Sequence, residues 1–216
     1  MANYFKHFNK TFYVTGENST SVDALTNLTT RISFVQKYID NAALYYLYNI
    51  QDGETPEVLA YKLYNSTENH WVILMFNNIM DPQYEWPLDQ RSLGLYIEDK
   101  YSASQYADTA NTSNSGLSWA QSHTKDYIIT ETTLIVGTNE SYSNTYLVDS
   151  ATYANTTTTS SNFTLENGDV IRIDTDKQEI SYFDYEVNLN DDKRAIKILK
   201  PEFVEPVFKE FKSLVK

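Results

Sequence analysis

The order of apolar and polar residues divides the chain into four stretches. From Met1 to about Thr20, Phe5, Phe8, Phe12, Tyr13 and Val14 mix with polar residues without a long period, which predicts an N-terminal arm over residues 1–21. From Val22 onward, Val22, Leu25, Leu28, Ile32, Val35 and Ile39 recur at spacings of three and four, the helical pattern. An interruption is expected at Thr29-Thr30, because β-branched pairs are mediocre helix formers. Ala43 to Ile50 then reads as a strand, closed by the turn signal Asp52-Gly53. Thr55-Pro56 supplies an N-cap and a proline at the first helical position, where its missing N–H costs nothing. Val58, Leu59 and Leu63 give this helix an apolar face; Asn65-Ser66 breaks it, Thr67 caps a second helix carrying Trp71, Leu74 and Met75, and Asp81-Pro82 stops that one. Residues 81–88, with prolines on either side of Tyr84 and Trp86, predict a short extended return. Residues 22–100 thus read as a helical lead-in followed by a small β-α-α-β module.

Between Ser102 and Asp126 the chain is Ser, Thr, Asn and Ala around Gly116, which predicts a long surface loop. Strands are expected over 127–136, 142–148, 163–165 and 170–174, with Asn167-Gly168 as a hairpin turn and Asn155 to Ser161 as a loop tip, so residues 101–179 read as a mostly-β insertion. In the tail, 180–216, Ile180–Leu189 and Arg194–Leu199 alternate around Asn190-Asp191-Asp192-Lys193 and predict a β-hairpin. Val204, Val207, Phe208, Phe211, Leu214 and Val215 then form the stripe of an amphipathic helix, with Pro206 expected to kink it or to set 202–205 apart as a separate turn. The predicted fold class is α+β.

Composition narrows the chemistry. With no cysteine among 216 residues, disulfides, thiol nucleophiles and cysteine-bearing metal sites are excluded. Lys+Arg 17 against Asp+Glu 29 gives a net charge of −12, which disfavours nucleic acid as a partner. No apolar run approaches the ~20 residues a membrane helix needs, and the first residues lack a signal-peptide pattern. His7, His70 and His123 have no metal-ligand spacing, and six glycines leave little for phosphate cradles, so no metal, cofactor or catalytic residue is expected. Asp52 with Glu54, Asp174 with Asp176, and Asp191-Asp192 read as turn chemistry rather than as a catalytic pair or a calcium loop. The unusual feature is 18 Tyr, 10 Phe and 3 Trp, a supply of rings that suits contact surfaces. Leu59, Leu63, Trp71 and Leu74 read as the module's core, while Tyr84 and Trp86 admit both core packing and docking.

Tyr48-Asn49-Ile50-Gln51-Asp52-Gly53-Glu54-Thr55-Pro56-Glu57-Val58-Leu59-Ala60, followed by Leu63-Tyr64, Trp71 and Asn77, resembles a LysM-type module. With the extension Asp81-Pro82-Gln83-Tyr84-Glu85-Trp86-Pro87, it resembles the baseplate wedge proteins of T4-like contractile-tailed phages, the gene fifty-three type. The tail from Tyr185 to Pro201 and the helix after it are similar to that family's C-terminal end, so the resemblance covers about residues 22–100 and 180–216. It implies a non-enzymatic virion component, assembled in the host cytoplasm, that clamps neighbouring wedges. Its implied partners are the wedge core bundle, the scaffold subunits and the sheath-initiating subunit. Tyr84, Trp86, Val204, Val207, Phe208 and Phe211 would be the contact residues, the tail positions covering either the predicted hairpin or a neighbour. A LysM-type module binding peptidoglycan glycan beside a cell-wall hydrolase is the alternative.

Overall fold

The computed structural model describes residues 4–15, 21–27, 32–34, 36–102, 115–166 and 168–215. The fold is mixed helix and sheet and separates into two units, Met1–Gln90 with Asn190–Lys216, and Arg91–Leu189.

In the first unit, β1 (Lys10–Thr15) pairs antiparallel with β2 (Ser21–Thr26), and a short helix α1 (Gln36–Ile39) precedes β3 (Tyr45–Asn49). The helical lead-in expected from Val22 is therefore overturned at its start. Val22 and Leu25 lie three apart, but Val14↔Val22 and Thr11↔Leu25 are cross-strand partners, and pairing with β1 outweighs a short local period. Leu28 and Val35 lie outside the described residues. Helix α2 (Pro56–Tyr64) forms as predicted, with the Thr55 hydroxyl accepting the Val58 N–H. The second helix, α3 (His70–Phe76), is also present, but the predicted Thr67 cap is not made, because Thr67–Asn69 is a separate 3-10 turn ahead of it, and α3 ends at Phe76, before Asp81-Pro82.

The extended return over 81–88 is not formed. Asp81 caps a short helix, α4 (Pro82–Glu85), and the strand that closes the module comes from the far end of the chain: β8 (Ala195–Leu199) pairs antiparallel with all of β3. Then α9 (Pro201–Leu214) runs through Pro206 without a separate turn over 202–205. Its Val204, Phe211 and the following Val215 are buried with Phe8, Ile39, Trp71, Val72, Phe76 and Leu199. A second cluster holds Ile50, Leu59, Ala60, Ile73, Trp86, Ile196 and Ile198. Trp71-Val72-Ile73 distributes its side chains to both clusters, which is why α3 is apolar on nearly every side.

In the second unit α5 (Gln90–Tyr101), which continues from the first unit, lies where the pattern predicts no element. Next comes α6 (Gly116–Ser122), inside the stretch expected to be a surface loop; residues 103–114 of that stretch lie outside the described residues. Ser115 caps α6 through the Ser118 N–H, and Glu98 accepts from the N–H groups of Gly116 and Leu117, so ordinary capping makes a helix from a polar sequence. Ile97, Tyr101 and Ala120 are buried together, with Trp119 and Tyr182 packed against them.

Four strands follow: β4 (Thr124–Ile135), β5 (Glu140–Val148), β6 (Thr159–Thr164) and β7 (Val170–Ser181), in spatial order β5-β4-β7-β6 and antiparallel throughout. All four predicted strands are present. A helix α7 (Ser150–Asn155) and the start of β6 replace most of the loop tip expected at 155–161. At the β6–β7 turn Gly168 takes φ +88°, while Asn167 lies outside the described residues.

The predicted C-terminal hairpin is also overturned. Tyr182–Asp192 is a helix, α8, which leads back into the first unit. Its buried positions include Glu186 and Asn190, four apart, so polar side chains occupy part of the helical period and leave Tyr185-Val187-Leu189 looking like strand alternation. Glu186, only 4% exposed, accepts from the Tyr101 hydroxyl (2.7 Å) and the Lys100 ammonium (2.8 Å). Asn190 accepts the Leu88 N–H and donates to the Leu88 C=O.

Gly116 is where α6 meets the end of α5. A Cβ there would collide with the Glu98 carbonyl oxygen and crowd the backbone at Tyr101 and Ser102. Gly116→Ala is expected to cost about 1–3 kcal/mol, as overpacking does, lowering the denaturant midpoint while Gly94→Ala, which meets nothing within 4 Å, does not.

Candidate protein-contact site

The module's helix pair, α2 and α3, is tied to the sheet by polar groups rather than by apolar packing alone. The Tyr64 hydroxyl donates to the Leu199 carbonyl (2.8 Å), and burial pushes its pKa well above the ordinary tyrosine value. The Asn77 amide donates to the Lys197 carbonyl (2.7 Å) and accepts the Lys197 N–H (2.8 Å). Both helices are thereby bonded to β8.

At the other end of the module, Glu54 gathers four contacts. Its carboxylate accepts from the Tyr48 hydroxyl (2.8 and 3.0 Å), the Gln51 N–H (2.9 Å) and the Lys62 ammonium (3.1 Å), and its side chain is 14% exposed. Burial acts to raise its pKa, but the Gln51 N–H, the Tyr48 hydroxyl and Lys62 together outweigh it and hold the carboxyl below the ordinary range. The same residue's carbonyl accepts the indole N–H of Trp86 (2.8 Å).

That bond settles where Trp86 points. It is 7% exposed and sits in the core cluster with Ile50 and Ile196, so Trp86 is a core residue of the folded chain rather than an exposed gripping residue. Tyr84, two residues earlier on α4, is 70% exposed, and its carbonyl accepts from the Lys193 ammonium (2.8 Å). The Glu85 carboxylate accepts the N–H groups of Met80 and Asp81, which fixes the turn that presents Tyr84.

The tail residues face inward. Val204 and Phe211 are buried, Val207 and Phe208 are partly buried, and Phe211 packs on Trp71 and Tyr4 with ring centroids 4.9 and 5.0 Å apart. With no hairpin present, the apolar stripe of α9 covers α3 and the N-terminal segment of its own unit. Leu59 and Trp71 are buried, and Leu63 and Leu74 pack partly buried against the second cluster. Exposed apolar groups that the sequence pattern does not single out include Leu47, Tyr61 and Met80, and Val58, expected on the apolar face of α2 with Leu59 and Leu63, is exposed as well. The period of α2 does contain a signal for two of them, since Val58 and Tyr61 lie three apart on the face opposite Leu59 and Ala60.

Among the described residues, no three His, Asp or Glu side chains come together as a metal site, and no helix is long and apolar enough to cross a membrane. Residues 3–108 match the family described as Base plate wedge protein 53. That match assigns the chain to a baseplate wedge protein family. It takes in β1 to α5, including the whole 22–100 stretch of the resemblance, while the tail lies beyond it. No curated protein matches the chain. The wedge family gives this protein a structural role in a phage tail baseplate, in assembly with other baseplate subunits.

The lowered Glu54 pKa gives this wedge protein a pH dependence of known sign. A carboxyl depressed on folding stabilises above its ordinary value of 4.5, and the contribution is lost as pH falls through the lower folded value. Thermal melts from pH 7 to pH 3 should show the wild type losing more stability in acid than Glu54→Gln, whose stability at neutral pH is already lower.

Proposed function

We propose that this wedge protein is a non-enzymatic clamp, which joins neighbouring wedges of a contractile-tail baseplate through the LysM-like β3-α2-α3-β8 module. The observation that carries the reading is the family match over residues 3–108, which spans the module's first three elements and the exposed Tyr84. The strand-helix-helix-strand order, with β3 and β8 antiparallel, supports the LysM-like description. The domain arrangement proposed with it is an N-terminal segment, a module completed by the C-terminal strand and helix, and an inserted second unit. Partners in this role are the wedge core bundle, the scaffold subunits and the sheath-initiating subunit, met during assembly in the host cytoplasm.

Tyr84 is the proposed contact residue on the module. Its ring is exposed, its carbonyl accepts from Lys193, and Glu85 holds the turn before it through the Met80 and Asp81 N–H groups, so a partner would meet a large side chain on an ordered backbone. Trp86→Ala is unsuited to testing contact, because it empties a core site at a cost of about 3–5 kcal/mol. The test mixes purified wedges assembled without this chain with wild type or Tyr84→Ala and follows ring closure by electron microscopy. Wild type is expected to close rings and Tyr84→Ala to do so at least several-fold less. Rings that close equally well without the chain would end the clamp reading; strong retention on purified cell walls would favour glycan binding instead.

A further inference from the structure

The two edges of the β3–β8 sheet are treated differently. The Lys200 N–H donates to the Leu44 carbonyl and the Ile50 N–H to the Arg194 carbonyl, which fixes the antiparallel register. By alternation, Tyr45, Leu47 and Asn49 on β3, and Ala195, Lys197 and Leu199 on β8, turn their main-chain groups away from the partner strand. On β8 three of these groups are occupied, since Asn77 takes both groups of Lys197 and Tyr64 takes the Leu199 carbonyl. On β3, Gln51 takes only the Asn49 carbonyl. The N–H and C=O of Leu47 meet no partner among the described residues, and its side chain is 80% exposed, with Tyr46 exposed beside it.

Strand edges in soluble proteins are commonly protected by a charge, a proline or a bulge. Tyr45-Tyr46-Leu47-Tyr48-Asn49 has no charge or proline and pairs with β8 without a bulge. Three lysines and two carboxylates surround it in a chain of net −12, and Lys200 is the lysine for which a carbonyl, that of Ala43, rather than a carboxylate is the partner. The ammonium groups of Lys197, Lys200 and Lys62 stand over the rings of Tyr45, Tyr46 and Tyr48, and the carboxylates paired with them are Asp40 and Glu54.

Resting on the baseplate reading, we propose that the Tyr45–Asn49 edge receives an extended, acidic segment of another baseplate subunit as a third strand. Its main chain bonds to Leu47, an apolar side chain covers the Leu47 side chain, and a carboxylate lies toward Lys200. This is strand addition, in which the backbone supplies affinity and alternate side chains supply selectivity. Asn77 and Tyr64, by engaging β8 at Lys197 and Leu199, leave β3 as the edge at which the sheet can grow.

The probe is the purified wedge assembled without this chain, titrated with the full-length protein. Leu47→Pro removes the outward N–H at an edge position where proline is tolerated, and Leu47→Ala keeps it. Wild type should bind, Leu47→Pro at least tenfold more weakly, and Leu47→Ala only a few-fold more weakly. Hydrogen exchange on the wild type keeps the proposal falsifiable if the proline variant does not fold, because the Leu47 amide should gain protection in the complex. Equal binding by wild type and Leu47→Pro, or an unprotected Leu47 amide in the complex, overturns strand addition and leaves the baseplate role intact. Failure of the wild type to bind overturns the baseplate contact itself. Dimerisation of the free wild type that Leu47→Pro abolishes makes a second copy the occupant and overturns the present assignment.

Discussion

The fold of the first unit depends on one non-local pairing, that of Tyr45–Asn49 with Ala195–Leu199. A two-stranded sheet is marginal alone in water and needs a covering layer. Here the layer is α3, whose Val72 and Phe76 pack with Leu199 while Ile73 packs with Ile196 and Ile198. Asn77 and Tyr64 bond directly to the main chain of β8, so the second strand is held from the side as well as from above. Without β8, α2 and α3 would lose both their apolar floor and these polar anchors.

The chain between these two strands includes a whole second unit, and physical chemistry tolerates this. The entropy of closing a loop grows slowly, by only about 0.6 kcal/mol for each doubling of length. Arg91–Leu189 also has its own buried cluster around Ile97, Tyr101 and Ala120, and its own four-stranded sheet. The connection to be closed is therefore a folded body rather than a free coil. Glu186 and Asn190, the two buried polar side chains of α8, are both satisfied by hydrogen bonds, which lets the helix carrying the chain back bury polar groups without an unpaired one.

The candidate contacts divide according to what holds them. Tyr84 keeps its ring outside on a turn that Glu85 holds through the Met80 and Asp81 N–H groups and Lys193 through the Tyr84 carbonyl, whereas Trp86 is drawn in by the Glu54 carbonyl and the apolar surface around Ile50. Two aromatics in one short segment between prolines thus have opposite fates. The pattern along the chain treats them alike, and two of the partners that separate them, Glu54 and Lys193, lie far away in sequence. Leu47 is invisible for the same reason: it sits in a strand of ordinary composition, and only the register with β8 turns its backbone outward.

What the sequence determines by itself is whatever is encoded within a few residues. The Thr55-Pro56 cap, the apolar period of α9 and the strand runs at 127–136 and 170–174 depend on neighbours in the chain, and the structure keeps them, with the second extended through Ser181. Tertiary structure decides whatever needs a distant partner. Val22 and Leu25 suit a helix or a strand, and β1 selects the strand. Ile180–Leu189 alternates like a strand, and burial of Glu186 and Asn190 against their bonding partners selects the helix over Tyr182–Asp192. The strand that closes the module was expected beside α3 and comes instead from the C-terminal end, because Ile196 and Ile198 complete the core beneath Ile73, while residues 82–85 are taken up by a capped helix.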